Sequence, residues 1–210
     1  MANDRYVNGM ARTADPSRRV TLVDQILEYL LDKTLSELTF RTLAKGIGVS
    51  TYTLVYHFGT KAELIRAIVG AISARAELIE PRLEGADATL DTYFEGLTLS
   101  WQWSIDPRNR QLQRLDFEAG LLEALNPDEL RLGRDLYSRW LDMGVTALRH
   151  FGLSEEEALV EARAVVNVFH GMQYDLVLNG DVDQATRAFE LSIRQQRARL
   201  EALLSSRPTP

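Results

Sequence analysis

Thr51, Tyr52 and Thr53 follow Ser50 in the stretch of the chain richest in recognisable chemistry. Hydroxyls and an aromatic ring at the start of a short helix can bond base edges or phosphates and touch thymine methyls. The segment Thr39–His57 supplies a frame for them. Thr39 can cap one short helix, Gly46-Ile47-Gly48-Val49 makes a tight turn, and Ser50 can cap a second helix. That is the plan of a helix-turn-helix, whose second helix lies in a major groove. Leu43, Ala44, Val49 and Leu54 have the spacing to pack the pair together, which turns Thr51, Tyr52 and Thr53 outward as candidate base contacts. Thr39, Arg41, Ser50, Tyr56, His57 and Lys61 are candidate phosphate contacts, through helix amide ends, cationic groups and polar donors. Arg12, Arg18 and Arg19 can reach a groove or phosphates from beside an N-terminal arm. An ordinary αα-corner also needs a glycine turn, so the helix signals alone leave both readings open.

A second constellation lies further along. Tyr93, Phe94, Trp101, Trp103 and Phe117, joined by Trp140, Phe169 and Tyr174, are interleaved with Gln102, Arg114, Asp116, Asn167, His170 and Gln173. An apolar cavity with a few convergent polar groups is how small-molecule sites are built, and a filled aromatic core is the other outcome of the same composition. Trp101, Trp103, Phe117, His170 and Tyr174 are the pocket candidates. His170 sits in an apolar helix beside Gly171, with Asn167 and Tyr174 on its face, either as a pocket donor or as a buried, hydrogen-bonded histidine. Gly171 either permits close helix approach or leaves room for a ligand.

The chain has 210 residues, 45% hydrophobic and 26% charged, which fits one or two globular domains and not low-complexity disorder. It has no cysteine, so thiol chemistry, disulfides and Cys-ligated zinc are excluded. Its three histidines, His57, His150 and His170, have no metal-ligand spacing, and there is no nucleophile elbow, phosphate-cradling loop or dinucleotide fingerprint. No enzyme activity, metal or cofactor is expected. Glu155-Glu156-Glu157 matches a helix N-terminal dipole. The first 66 residues hold nine Lys/Arg and seven acids, while the net charge of the whole is −6. A head suited to a polyanion on an acidic body is one reading of that split, and chance scatter the other. No apolar run approaches the roughly 20 residues of a membrane span, and no secretory h-region is present, so a cytoplasmic protein without membrane contact is expected.

The elements that must position these groups all read as helices. The predicted helices begin at Ser17 (to about Lys33), Thr39 (through Lys45), Ser50 (to His57), and a Thr60-x-x-Glu63 capping box (stopping at Pro81). Asp87 opens a helix to about Ser104. Asp106-Pro107 opens another to about Ala124, with a break near Arg110. Asn126-Pro127 opens one that ends at Phe151-Gly152, and Ser154 with Glu157 opens one closed by Asn179-Gly180. The last runs from about Asp183 to Leu204. The predicted fold is all-α, with nine helices. Val165, Val168, Met172, Leu176, Phe189, Ile193 and Leu200, on the last two, are candidates for a four-helix interface with a second copy, or for burial within one chain.

The run TFRTLAKGIGVSTYTLVYHFGTKAELIRAIV resembles the DNA-binding domain of TetR-type transcriptional regulators. The resemblance rests on Thr39, Leu43-Ala44, Gly48-Val49-Ser50, Thr53-Leu54, His57-Phe58, Lys61 and Leu64, and it is dense over about residues 18–70. Three positions depart from the family pattern: Val55 stands where the family usually has tyrosine, Tyr52 where glycine is common, and Thr34 in a turn that usually carries glycine. The resemblance implies a homodimer on a palindromic double-stranded operator, repressing until a small, largely apolar effector binds the C-terminal part. It divides the chain into an arm (1–16), a helix-turn-helix head (17–60), a connector helix (61–80), a ligand-binding and dimerisation domain (81–205) and a tail (206–210). The alternatives are an all-α small-molecule-binding protein or enzyme that does not bind DNA, and a helical protein-interaction module.

Overall fold

In the computed structural model, residues 16–77, 88–125 and 131–206 are described, and among them every regular element is helical. The order is α1 (Pro16–Leu30), α2 (Phe40–Ile47), α3 (Thr51–Phe58), α4 (Lys61–Glu77), α5 (Leu90–Ile105), α6 (Pro107–Leu125), α7 (Leu132–His150), α8 (Glu155–Asn179) and α9 (Val182–Ser205). None is long and apolar enough to cross a membrane. The predicted arm with Arg12, the stop at Pro81, the opening at Asp87, the start at Asn126-Pro127 and the last four residues lie outside the described residues.

The predicted caps account for most boundaries. The Thr39 hydroxyl accepts the Thr42 amide, and the Thr42 hydroxyl accepts the Thr39 amide. Ser50 accepts the Thr53 amide, while Thr60 and Glu63 exchange bonds at the head of α4. Asp106 accepts the amides of Arg108 and Asn109 ahead of α6, and Ser154 with Glu157 closes the box at α8. Each cap satisfies amide groups that a helix N-terminus leaves orphaned.

Three boundaries differ from expectation. Helix α1 stops at Leu30 rather than near Lys33, because Arg114 of α6 takes up the carbonyls of Leu30, Leu31 and Lys33. Helix α5 starts under a Thr89–Thr92 capping box. Helix α6 passes Arg110 unbroken to Leu125.

The core runs through the chain without a break at the head. Leu22, Ile26, Leu27 and Leu30 of α1 meet Leu43, Leu54 and Phe58 of the short helices and Leu64, Ile65 and Ile68 of α4. The same cluster continues into Leu112, Leu115 and Ala119 of α6, with Trp103 packed against it. A second cluster joins Tyr93 and Phe94 of α5 to Leu141 and Leu148 of α7, Ala158 and Ala162 of α8 and Leu200 of α9. A third holds Trp101, Leu176, Ala185 and Phe189.

Two glycines make the turn between α2 and α3 possible. Gly48 takes φ +72°, a left-handed conformation that costs other residues energy. Gly46 lies under the Tyr29 ring, where an added Cβ would stand 2.0 Å from Cε2. Gly46→Ala is therefore expected to cost about 1–3 kcal/mol, as Tyr29 is forced off its seat beneath the Lys33 ammonium. Thermal denaturation checks this, and an unchanged melting temperature refutes it. Thr34 needs no glycine-like geometry, since no non-glycine residue among those described has a positive φ.

Candidate nucleic-acid interface and interior cavity

The outward side of α3 begins at the Ser50 cap. Thr51 is exposed, and Tyr52 is 78% exposed on the first turn. Tyr56 lies one turn further, its ring stacked on Tyr52 at 6.3 Å between centroids and 20° between planes. Thr53 is half-buried and its hydroxyl is shared with Ser50 at 2.8 Å. Val55, where the family usually has tyrosine, is 45% exposed, so the ring available to this surface belongs to Tyr56.

The candidate phosphate contacts surround this face in different states of commitment. Arg41 and Lys61 are exposed, with the Lys61 ammonium donating to the Ser36 carbonyl at 3.3 Å. The Thr39 and Ser50 hydroxyls are engaged in their caps. His57 is half-buried edge-on to Tyr56, and its Nδ1 is buried with no partner among the described residues. Arg19 is tied to the end of α3: its Nε donates to the His57 carbonyl at 3.3 Å, and its guanidinium sits 5.4 Å from the centre of the Phe58 ring. Arg18 is exposed.

A cavity of about 130 Å³ lies between α4, α5, α6, α7 and α8. Tyr93, Trp103, Trp140 and Phe169 supply aromatic surface, and Gln113, Asp116, His170 and Gln173 supply polar groups. Ile72 and Ser73 bring the connector helix α4 to the same wall.

Of the five pocket candidates the structure brings two, Trp103 and His170, to this cavity. Trp101 is 2% exposed, stacked on Phe189 at 4.8 Å, and donates its Nε1–H to the Thr186 hydroxyl at 3.1 Å. It is a core residue because two positions along a helix is about 200° of rotation from Trp103. Phe117 and Tyr174 pair edge-to-face at 5.6 Å away from the cavity wall, with Tyr174 half exposed. Asn167 also leaves the His170 group, accepting the Tyr137 hydroxyl at 2.6 Å. An added Cβ at Gly171 would meet nothing, so this glycine makes no close helix approach within the chain.

His170 shares a 2.9 Å bond with the Val166 carbonyl, and a carbonyl can only accept, so Nδ1 carries the proton. Burial pushes the ring's pKa below its ordinary value, partly offset by that bond. Neutral at pH 7, His170 is left with an accepting Nε2, so toward the cavity it is an acceptor and not the donor that its sequence context suggested. Asp116, pushed up to about 6 by desolvation, makes no hydrogen bond or ion pair among the described residues. Its remaining accessibility fits its place on the cavity wall.

The residues that sequence reasoning passed over are Gln113 and Ser104. The Ser104 hydroxyl donates to the Ser100 carbonyl at 2.8 Å and accepts the Gln113 and Gln173 amides, each at 3.0 Å. The available signal was the i, i+3 spacing of Gln113 and Asp116, which puts both on one face of α6. Ser104→Ala leaves two buried amide groups without their acceptor and is expected to cost about 2–4 kcal/mol. Ser104→Thr, which retains the hydroxyl, should recover most of it in the same melting experiment. Equal losses would remove the hydroxyl from the explanation.

The interface candidates divide between burial within the chain and exposure. Leu176 and Phe189 are buried around Trp101, Leu200 is buried against α5, α7 and α8, and Val165 faces the cavity. Met172 and Ile193 are half-buried in the same chain, and of the seven only Val168, at 38%, counts as exposed. The exposed apolar side chains of these helices include Tyr174, Leu178 and Leu191.

Residues 22–68 match the family described as bacterial regulatory proteins, tetR family. No curated protein matches the chain. Among solved structures, GusR of Salmonella enterica is similar at 20% identity and a TM-score of 0.67, over 92% of this chain and 98% of that one. The multidrug binding protein EbrR, complexed with imidazole, is similar at 22% identity and 0.64, over 96% of each. NalD, the secondary repressor of the MexAB-OprM multidrug efflux pump in Pseudomonas aeruginosa, is similar at 19% and 0.58, over 85% of this chain and 94% of that one. The helix-turn-helix head thus matches the tetR family by sequence, and the chain shares its fold with these solved structures.

Proposed function

We propose that this protein is a dimeric transcriptional repressor that leaves its operator when a small, largely apolar effector enters the interior cavity. The observation that carries the reading is the double use of α6. Its Gln113 and Asp116 line the cavity. On another face, its Arg114 holds the Leu30 and Lys33 carbonyls at 3.0 and 2.9 Å, and its Glu118 accepts the Leu35 amide at 2.6 Å. A ligand that moves α6 therefore pulls on the end of α1, and so on the head. Helix α4 is linked in the same way, since Ile72 and Ser73 line the cavity while Leu64 and Ile65 belong to the head core. The effector acts by favouring a head spacing that does not fit two half-sites.

In this reading Thr51, Tyr52 and Thr53 carry base contacts, and Thr39, Arg41, Ser50, Tyr56, His57 and Lys61 meet phosphates. The dimer forms through the exposed faces of α8 and α9. Val168, Gly171 and Leu178 are exposed on α8, as are Ala188, Leu191, Gln195 and Ala198 on α9. Small residues at helical spacing allow the close approach of a four-helix interface. Such a protein works in the cytoplasm, beside its operator.

Selection from a random duplex pool tests the reading. A recovered palindrome with half-sites about one helical turn apart, or a multiple of that, supports it. Binding that is blind to sequence and that saturates as a monomer overturns it, and leaves an all-α ligand-binding protein without a DNA role.

A further inference from the structure

The cavity contains chemistry that a purely apolar effector would leave unused. Two of its polar groups without a hydrogen-bond partner, the Asp116 carboxyl and the His170 Nε2, are acceptors, and they stand beside the hydroxyls of Tyr93 and Ser100 and the indole N–H groups of Trp103 and Trp140. The Ser104 hydroxyl has one proton, spent on the Ser100 carbonyl, so Gln113 must turn its NH2 toward Ser104. That orientation leaves the Gln113 Oε1 unpartnered and enclosed, with no surface open to the cavity. Asp116, one turn along the same face of α6, has no counter-ion, and no lysine or arginine lines the cavity among the described residues. His170 adds an accepting Nε2. A buried carboxylate without a donor or counter-ion costs free energy that a cationic, donating ligand recovers. Trp103, Trp140 and Phe169 surround these groups with ring surface, which attracts a cation through its quadrupole.

We propose that the cavity is a site for a compact lipophilic amine, bound as its ammonium ion, with Asp116 as counter-ion, the His170 Nε2 as a second acceptor and the rings of Trp103, Trp140 and Phe169 around its hydrocarbon body. This rests on the effector reading of the cavity and names the class of molecule. A volume of about 130 Å³ suits a ligand of about one ring, close to the roughly 150 Å³ cavity that takes up benzene in another protein.

The assignment carries a pH signature. Among the described residues, the titratable groups lining the cavity are Asp116 from α6, Tyr93 from α5 and His170 from α8, while α4 and α7 contribute none. Burial raises the Tyr93 pKa, so it stays neutral, and lowers that of His170. Ammonium affinity is therefore full well above pH 6 and falls as Asp116 protonates, by about tenfold at pH 5.

Calorimetric titration of the full chain with benzylammonium, benzyl alcohol and benzoate tests the proposal. At pH 7.5 benzylammonium should bind at least about tenfold more tightly than the alcohol, and benzoate most weakly. Asp116→Asn should erase the preference. The variant also has a readout without ligand. A buried carboxyl with a raised pKa destabilises the fold once pH exceeds its unfolded value, so Asp116→Asn should melt above the parent at pH 7.5, with the gap closing toward pH 4. Four results would overturn the proposal: alcohol or benzoate binding as well as the amine, no benzylammonium binding at about 10 mM, a preference that survives in Asp116→Asn, or an amine affinity that does not fall between pH 7.5 and 5. Should benzylammonium bind as described without changing operator affinity, the amine site stands and the effector role falls. Release of DNA by a neutral or anionic compound seated in the cavity would do the opposite.

Discussion

Replacing Arg114 by alanine is expected to lower the melting temperature by about 5–10 °C. The guanidinium donates to the carbonyls of Leu30, Leu31 and Lys33, to the Gln111 side chain, and to Glu118 in an ion pair. Those carbonyls end α1, where a helix exposes unpaired acceptors and the negative end of its dipole. Bonds to a charged partner contribute about 1.5–3 kcal/mol, and a chain of this size shifts by about 2–4 °C per kcal/mol. Both side chains are about one quarter exposed, so water re-solvates part of what is lost and the ion pair itself adds little. Arg114→Lys should recover only part of the loss, since an ammonium cannot reproduce the planar fork. Under the proposed function, Arg114→Ala also weakens the link from cavity to head. An effector that releases the parent from its operator should release the variant less completely. A melting temperature within about 1 °C of the parent would show that the contact does not hold the head in place.

Tyr52 and Lys61 are expected to separate sequence reading from charge. Tyr52 is exposed on the first turn of α3, stacked on Tyr56, and it occupies a position where the family commonly has no side chain. Tyr52→Ala should cost about 1–3 kcal/mol on the selected operator and little on random duplex, so the ratio of specific to non-specific affinity falls about tenfold or more. Lys61→Ala should weaken operator and random duplex alike. It should also reduce the slope of log affinity against log salt by about one, the effect of one phosphate contact. Equal loss of specificity in both variants would end this division of roles. A Tyr52→Ala protein that selects the parent's operator unchanged would move base reading elsewhere, with Thr51 the exposed neighbour.

Short-range physics made the head and the helix starts legible from the chain alone. Thr39, Ser50, Thr60 with Glu63, Asp106 and Ser154 with Glu157 each satisfy amides two or three residues away. Such bonds need no partner from another element, so their spacing in sequence is enough. Leu43, Ala44, Leu54 and Phe58 are buried for the same reason, since a glycine turn at φ +72° permits few ways to close two short amphipathic helices.

Choices among the aromatic and apolar residues of the longer helices belong to the tertiary structure. Trp101 and Trp103 have the same chemistry two positions apart, and only the placement of α9 sends the first against Phe189 and the second to the cavity. Leu176, Phe189 and Leu200 have the helical spacing of an interface stripe, yet their own chain covers them. Asp116 could have been an ordinary surface carboxylate. It lacks a counter-ion because α6 turns Arg114 toward the head and Asp116 toward the cavity. Period and composition specify that a face is buried. What buries it, and whether space remains inside, depends on contacts between residues up to about a hundred positions apart, which no local pattern encodes.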